Sequence, residues 1–347
     1  AIGLRIVVVL GLLLGFGVFG VELRGQESLK EMYGIDYYSV LFWNVENFFD
    51  TRPNPYSEDG DFTPSGEMRW SRQRFIRKRD GIAKSIIAAA GFPTIIAFAE
   101  IENRYVLNQI LYETPLYMGD YRIIHKDSPD RRGIDVGLLY RKNQFRPLNY
   151  QTLNASIKHD LHEKDNLTRD ILYVKGVLHE LDTLHIFVNH WPSKFGGDRV
   201  STPKRAYVAS VLMQVCDSIL NKNFRANILV MGDFNETPGA KLFEMLKNLN
   251  YLYSQECITK GLITAGTIKY QGSWEKIDHF FVSNNLLDTL EPISVTDSSA
   301  LIFCQEYLVE RDNAYTGVKP RRTYVGPRYN GGLSDHLPII LKIMRNW

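Results

Sequence analysis

Two short polar stretches carry residue types able to do chemistry together. Gly232-Asp233-Phe234-Asn235 follows directly on an apolar run, and about a hundred residues later Ser334-Asp335-His336 leads into another. A carboxylate can hold a cation or take a proton, an amide can donate without adding negative charge, and an imidazole exchanges a proton near neutral pH. Brought together, such groups could serve one metal ion and one phosphate. Four further polar clusters stand at the ends of apolar runs: Asn44-Val45-Glu46, Glu100 with Glu102, Asn189-His190, and Asp278. Any one of them alone would be an ordinary cap or turn residue. It is the coincidence of all six that points to one site.

These clusters need strands to position them. The run NILV at 227–230 reads as a buried strand, which puts Asp233 and Asn235 just past its C-terminal end. Apolar runs at 38–43 and 94–99 are separated by a helical segment at 70–90, in which Phe75, Ile82, Ala83, Ile86, Ile87 and Ala90 form one stripe. A loop rich in Pro, Gly and acids fills 50–68. Strands are expected at 134–140, 171–178 and 184–188, the last two joined by a tight turn near Leu181-Asp182. A helix at 204–220 precedes NILV, a short helix at 240–249 follows it, and further strands are expected at 276–282 and 337–343. Helices alternate with strands but hairpins are also present, so two packed sheets with outer helices fit better than a purely parallel wound sheet. No internal repeat or long linker divides the chain.

The composition sets the remaining bounds. With 347 residues, 44% of them hydrophobic, the chain can bury a full core. Its 41 basic and 39 acidic residues give a net charge of +2, so charge alone argues for no polyanionic partner. Residues 6–21 are apolar or Gly without interruption, preceded by Arg5 and followed by Glu22 and Arg24. That is the layout of a secretory signal, with Val18-Phe19-Gly20 at the cleavage site. Residues 1–25 are therefore expected to be a signal peptide or N-terminal hydrophobic segment, and 26–347 a single catalytic domain. Export to the periplasm or outside the cell is expected, with a membrane anchor as the alternative, although 16 residues are short against the roughly 20 a spanning helix needs. Cys216, Cys257 and Cys304 have no metal-type spacing and read as small buried residues, with one disulfide as the alternative.

The order and wording of the motifs resemble the endonuclease/exonuclease/phosphatase superfamily, also called deoxyribonuclease-I-like, from Tyr38 to Met344. The matching segments are FWNVEN at 42–47, FAEIEN at 98–103, RRGIDVGLLYR at 131–141, VNHWPSK at 188–194, MGDFNETP at 231–238, KIDHFFVS at 276–283 and LSDHLP at 333–338. The resemblance, to bacterial exported members, implies an α/β fold of two packed mixed sheets flanked by helices in a four-layer sandwich. It implies a metal-dependent phosphodiester hydrolase, most simply an endonuclease on DNA or RNA, with a sphingomyelinase-like lipid phosphodiesterase or other phosphoesterase as the alternative.

Site roles carry over residue by residue. Glu100 is implied as the direct ligand of Mg²⁺, with Mn²⁺ or Ca²⁺ as alternatives, since a hard cation takes carboxylate oxygen. Asn44, Glu46 and Asp335 would complete its surroundings, Asn44 also touching phosphate; many relatives carry Asp where Glu46 stands. Glu102 looks like a supporting residue. Asp233 and Asn235 resemble the pair that aligns the attacking water and holds a phosphate oxygen. Asp278 resembles the carboxylate that orients and charges His336, whose role as base or electrostatic stabiliser stays open. His190, in the HWPS context, would donate to phosphate or leaving group when protonated, and Arg132 with Asp135 would contact phosphate or frame the site.

Two basic clusters bear on the substrate. The first, RWSRQRFIRKR at 69–79, reads as a solvated helix face except for Arg79, which falls in the apolar stripe. The second, Lys319, Arg321, Arg322 and Arg328, lies in a Gly- and Tyr-rich segment running into Ser334, where Tyr324 and Tyr329 could stack on bases. A nucleic-acid substrate is expected, with no stable protein partner and membrane contact only through an uncleaved N-terminal segment. The competing class, a binding module that lost catalysis, would show gaps at Glu100, Asp233, Asn235 or His336, and all four are present.

Overall fold

The computed structural model describes residues 36–156, 167–259 and 262–346. The expected signal segment at 1–25 lies outside them. Two six-membered strand series form the body of the molecule. In the first sheet the order is β11(Ile293–Ser294), β13(Ile339–Arg345), β1(Asp36–Phe48), β2(Ile95–Ile101), β4(Asp135–Arg141) and β3(Tyr121–His125), with β12(Ala300–Ile302) also pairing β13. In the second it is β5(Phe145–Leu153), β6(Ile171–Leu178), β7(Asp182–His190), β8(Asn227–Asp233), β10(Asp278–Val282) and β9(Asn250–Leu252). Each sheet has one parallel pair at its centre, β1 with β2 and β7 with β8, and antiparallel strands outside it. This mixed sandwich is the architecture expected from the sequence.

Helices α1(Arg72–Ala90) and α2(Arg104–Tyr112) pack on the first sheet, and α3(Asp198–Lys222) on the second. Strand periodicity explains how β8 is buried on both faces. Leu229 and Met231 join the core between the sheets, while Ile228 and Val230 join the layer under α3 with Val208, Leu212 and Cys216. The same alternation places Leu184, Ile186 and Val188 of β7, and Phe280 and Val282 of β10, between the sheets. A side chain two positions further along any of these strands must point the same way.

Several elements differ from expectation at their ends. The run at 38–43 continues as strand through the polar residues to Phe48, and the expected helix at 240–249 is a 3₁₀ turn over Lys241–Leu246. Helix α3 starts earlier, at Asp198, and carries Pro203 at its sixth position, where the missing N–H removes one intrahelical hydrogen bond. Helix α2, capped by the Asn103 side chain on Val106 N, and strands β3 and β5 carry patterns too short or too polar to stand out. In α1 the basic residue that turns inward is Lys78 and not Arg79. Lys78 is fully buried in the apolar stripe, whereas Arg79 is partly buried and pairs with Asp80 and Gln109.

Candidate active site

The parity argument predicts which polar side chains meet. His190 follows Val188 by two, Asp233 follows Met231 by two, and Asp278 precedes Phe280 by two, so all three point between the sheets. They are also in register, His190 beside Asp233 and Asp233 beside Asp278. Gly232 permits the close passage of β7, because a Cβ there would lie 2.2 Å from Asn189 O.

The first sheet supplies the facing half. Its pairing shifts register between Asn44 and Phe48 and again between Ala99 and Ile101, so β1 and β2 both bulge where their polar residues sit. Bulges re-aim side chains at such edges. Glu46, Asn47 and Glu100 lie in left-handed conformation at φ 48°, 48° and 61°, and Asn235 across the seam at 52°. Each such residue stores about 1–3 kcal/mol unless its surroundings compensate. Here hydrogen bonds do so: Asn47 N donates to Glu100 Oε2 at 2.7 Å, Glu46 N to Asn44 Oδ1 at 3.0 Å, and Asn235 N to Asp233 Oδ1 at 3.0 Å.

At the seam the Asn44 amide Nδ2 donates to Asp233 Oδ2 at 3.0 Å and to Glu100 Oε1 at 3.4 Å. His190 Nε2 stands 3.7 Å from both of those oxygens. His336 Nδ1 meets Asp278 Oδ2 at 2.8 Å, and its Nε2 faces Asp233 Oδ2 at 3.8 Å. The His336 backbone is fixed independently, its carbonyl accepting from Trp43 Nε1 and its N–H donating to Ser334 Oγ, which itself donates to Asn44 O. The structure thus brings Asn44, Glu100, His190, Asp233, Asp278 and His336 into one cluster, with Asn235 at its edge donating to Trp191 O at 3.0 Å.

The remaining candidates sit around this cluster. Glu46 and Asp335 both meet Arg322, at 2.8 and 3.0 Å. Glu102 accepts from Asp50 N and supports the loop after β1. Asp135 is turned away, bound to His125 and Ser128. Arg132 is half exposed near Asp130 and lines a cavity of ≈ 430 Å³ with Arg169, Pro192 and Phe195. Tyr324, expected to stack on bases, is instead buried against Trp70 and Tyr329, its hydroxyl donating to Met68 O.

Three basic residues were not singled out from sequence as parts of the site. Arg169, buried, pairs with Asp130 at 3.2 Å and donates to Trp191 O at 2.8 Å, the same carbonyl that receives Asn235. Arg205, also buried, ties α3 to Glu236 at 2.7 Å and so to the segment after β8. Lys78 donates to Glu46 O and Thr323 Oγ1. The one available signal was position: Arg169 stands two residues before a strand, and Lys78 interrupts an apolar stripe.

Electrostatics divide the cluster. Burial opposes charge on His336, but Asp278 and Asp233 outweigh it and hold its pKa well above the usual value. Burial, reinforced by Arg169 and Arg132, holds His190 well below it and keeps that ring neutral rather than protonated. Burial also pushes the Asp233 carboxyl up from 3.8 to about 7, against the pull of His336.

A divalent cation fits this donor set. Glu100 and Asp233 converge on one amide and one neutral imidazole, and Asp278 Oδ1 and His190 Nδ1 are buried without hydrogen-bond partners. The consequence for stability has a definite sign. Asp233 binds its proton more tightly folded than unfolded, so its contribution to metal-free stability is present at low pH and lost as pH rises from 3.8 to about 7. A bound cation cancels that loss. Saturating Mg²⁺ is therefore expected to raise Tm more at about pH 7.5 than at about pH 5. Equal increments in thermal melts at the two pH values would refute this account of the site.

Comparison with known proteins places the whole described body. A family model described as "Endonuclease/Exonuclease/phosphatase family" matches residues 39–345. Among solved structures, the human Nocturnin catalytic domain with bound sulfate is similar at TM-score 0.54 and 17% identity, covering 90% of this chain and 97% of that one. An endonuclease/exonuclease/phosphatase family protein from Bacteroides thetaiotaomicron is similar at 0.53 and 15%, covering 91% and 100%. D. rerio TDP2 complexed with single strand DNA product is similar at 0.53 and 15%, covering 89% and 99%. No curated protein matches the chain in sequence.

Proposed function

The chain belongs to the endonuclease/exonuclease/phosphatase family, and from that premise we propose that it is an exported, Mg²⁺-dependent phosphodiesterase that cuts nucleic acid. The observation that carries this reading is the convergence of Glu100 and Asn44 from one sheet with His190, Asp233 and the Asp278–His336 pair at the seam with the other.

Glu100 would hold the cation, with Asn44 beside it. When bound, the ion screens phosphate charge and polarises the P–O bonds. Asp233 faces the space between the sheets and takes the proton of the attacking water. His336, kept charged by Asp278, presents Nε2 as a donor to phosphate or to the departing oxygen. Neutral His190 shapes the floor without adding charge, and Asn235 fixes the far edge through Trp191. Arg132 and Lys204, at the adjoining cavity, supply positive charge for neighbouring phosphates. The bound sulfate of Nocturnin and the DNA product of TDP2 are consistent with a phosphate-bearing substrate. Export rests on residues 6–21 alone.

A second reading, a lipid phosphodiesterase, is favoured by one feature. The ribbon of Cys257–Thr259 with Leu262–Thr264 leaves Ile258 and Ile263 exposed and paired with each other. Supercoiled plasmid, single-stranded oligonucleotide and sphingomyelin vesicles, each with Mg²⁺ and with chelator, separate the two. Metal-dependent cleavage of nucleic acid alone is the expected result, and cleavage of the vesicles alone would replace this reading with the second.

A further inference from the structure

The site contains two groups of acids, and they are compensated differently. Glu46 and Asp335 lie on the outer side, where the loop at 318–336 closes over the end of β1. Arg322 spans them, Nε donating to Glu46 Oε1 at 2.8 Å and one terminal nitrogen to Asp335 Oδ2 at 3.0 Å. The second Glu46 oxygen accepts from Thr323 N at 2.8 Å. Lys78 enters from α1 below, fully buried, and donates to the Glu46 carbonyl at 2.5 Å and to Thr323 Oγ1 at 2.7 Å. The two acids are therefore bridged by one guanidinium, with a buried ammonium beneath the Glu46 backbone. The inner group sets three acids, Glu100, Asp233 and Asp278, around one charged imidazole, His336, which meets Asp278 and faces Asp233.

We infer that Arg322 is the built-in cation of the Glu46–Asp335 pair, so that the site takes one divalent ion, on the inner acids, and none on the outer pair. The inference rests on the metal-dependent reading above. A divalent ion on the outer pair would have to displace a bidentate guanidinium and meet Lys78 behind it. On the inner group it meets acids that outnumber their imidazole cation, with Asp278 Oδ1 buried and without a hydrogen-bond partner. The arginine is also held in place: its neighbour Tyr324 is buried, and Asn330 and Gly331 donate their backbone N–H groups to Thr323 O. Gly332 passes so close to Arg321 that a Cβ there would lie 1.8 Å from its carbonyl oxygen. Arg322 is a positioning residue in this scheme, acting through the acids it neutralises.

The test is the number of Mn²⁺ ions bound by the full chain, counted by calorimetry and by electron paramagnetic resonance without substrate. One ion per chain is expected for the wild type and two for Arg322→Ala, whose fold is checked by near-ultraviolet circular dichroism. Two ions in the wild type, or one in a folded Arg322→Ala protein, would overturn the inference. Glu46→Gln and Asp335→Asn test it without removing the arginine, and each is expected to keep one ion with affinity within threefold of wild type. Loss of the ion in either variant makes that acid a ligand and also overturns it. A wild type that binds no ion would instead remove the metal-dependent reading on which the inference rests.

Discussion

His336→Ala is expected to lower kcat by about 100- to 10,000-fold, the range for losing a group that transfers or donates a proton in the transition state. The structure says why the loss should be catalytic rather than structural. The backbone at this position is held by Trp43 and Ser334, neither of which touches the ring. The variant should fold, with a modest drop in Tm because Asp278, already carrying one unpartnered oxygen, loses its remaining bond. Asp278→Asn gives the companion result. It keeps a hydrogen-bonding partner for Nδ1 but removes the charge that raises the His336 pKa, so the alkaline limb of kcat against pH should move to lower pH. A folded His336→Ala enzyme with wild-type kcat would remove this histidine from the mechanism.

The second large effect is expected at Glu100. Replacement by Gln preserves the side-chain oxygen that accepts from Asn47 N, and so preserves the left-handed corner at φ 61°. What it removes is one of the two inner carboxylate charges nearest Asn44. Loss of the cation's stabilisation of developing charge is worth several kcal/mol, so activity should fall about 100- to 1,000-fold. Mn²⁺ titration of the same protein should show binding weakened by at least about tenfold. Unchanged metal affinity in Glu100→Gln would show that the cation is held elsewhere.

Much of this was legible in the sequence because strands end where polar residues interrupt apolar runs. NILV followed by Gly-Asp-Phe-Asn announces both β8 and the residues it carries to the seam. The period of two then gives the facing of Asp233 and Asp278. What could not be read is which polar residues find each other across a distance of hundreds of residues. Glu46 and Asp335 share the chemistry of a metal ligand with Glu100, and only folding reveals that Arg322 lies between them. Lys78 hid for a similar reason. In a helix pattern a lysine reads as solvated, and its burial follows from Glu46 O and Thr323, residues far away in sequence. The short elements β3, β5 and α2 were missed because a few residues of mixed polarity carry too little periodicity to register.

The cluster draws Asn44 and Glu100 from one sheet and His190, Asp233 and Asp278 from the other, while His336, three residues before β13, reaches across to Asp278. Neither sheet holds enough of these groups to work alone. Turnover is therefore a reporter of sandwich closure: during refolding it should appear only with the last phase that buries the layer between the sheets, after secondary structure has already formed. Any cut, insertion or chain permutation that lets the sheets slide by one strand spacing, about 4.8 Å, would silence the enzyme while its circular dichroism stayed intact.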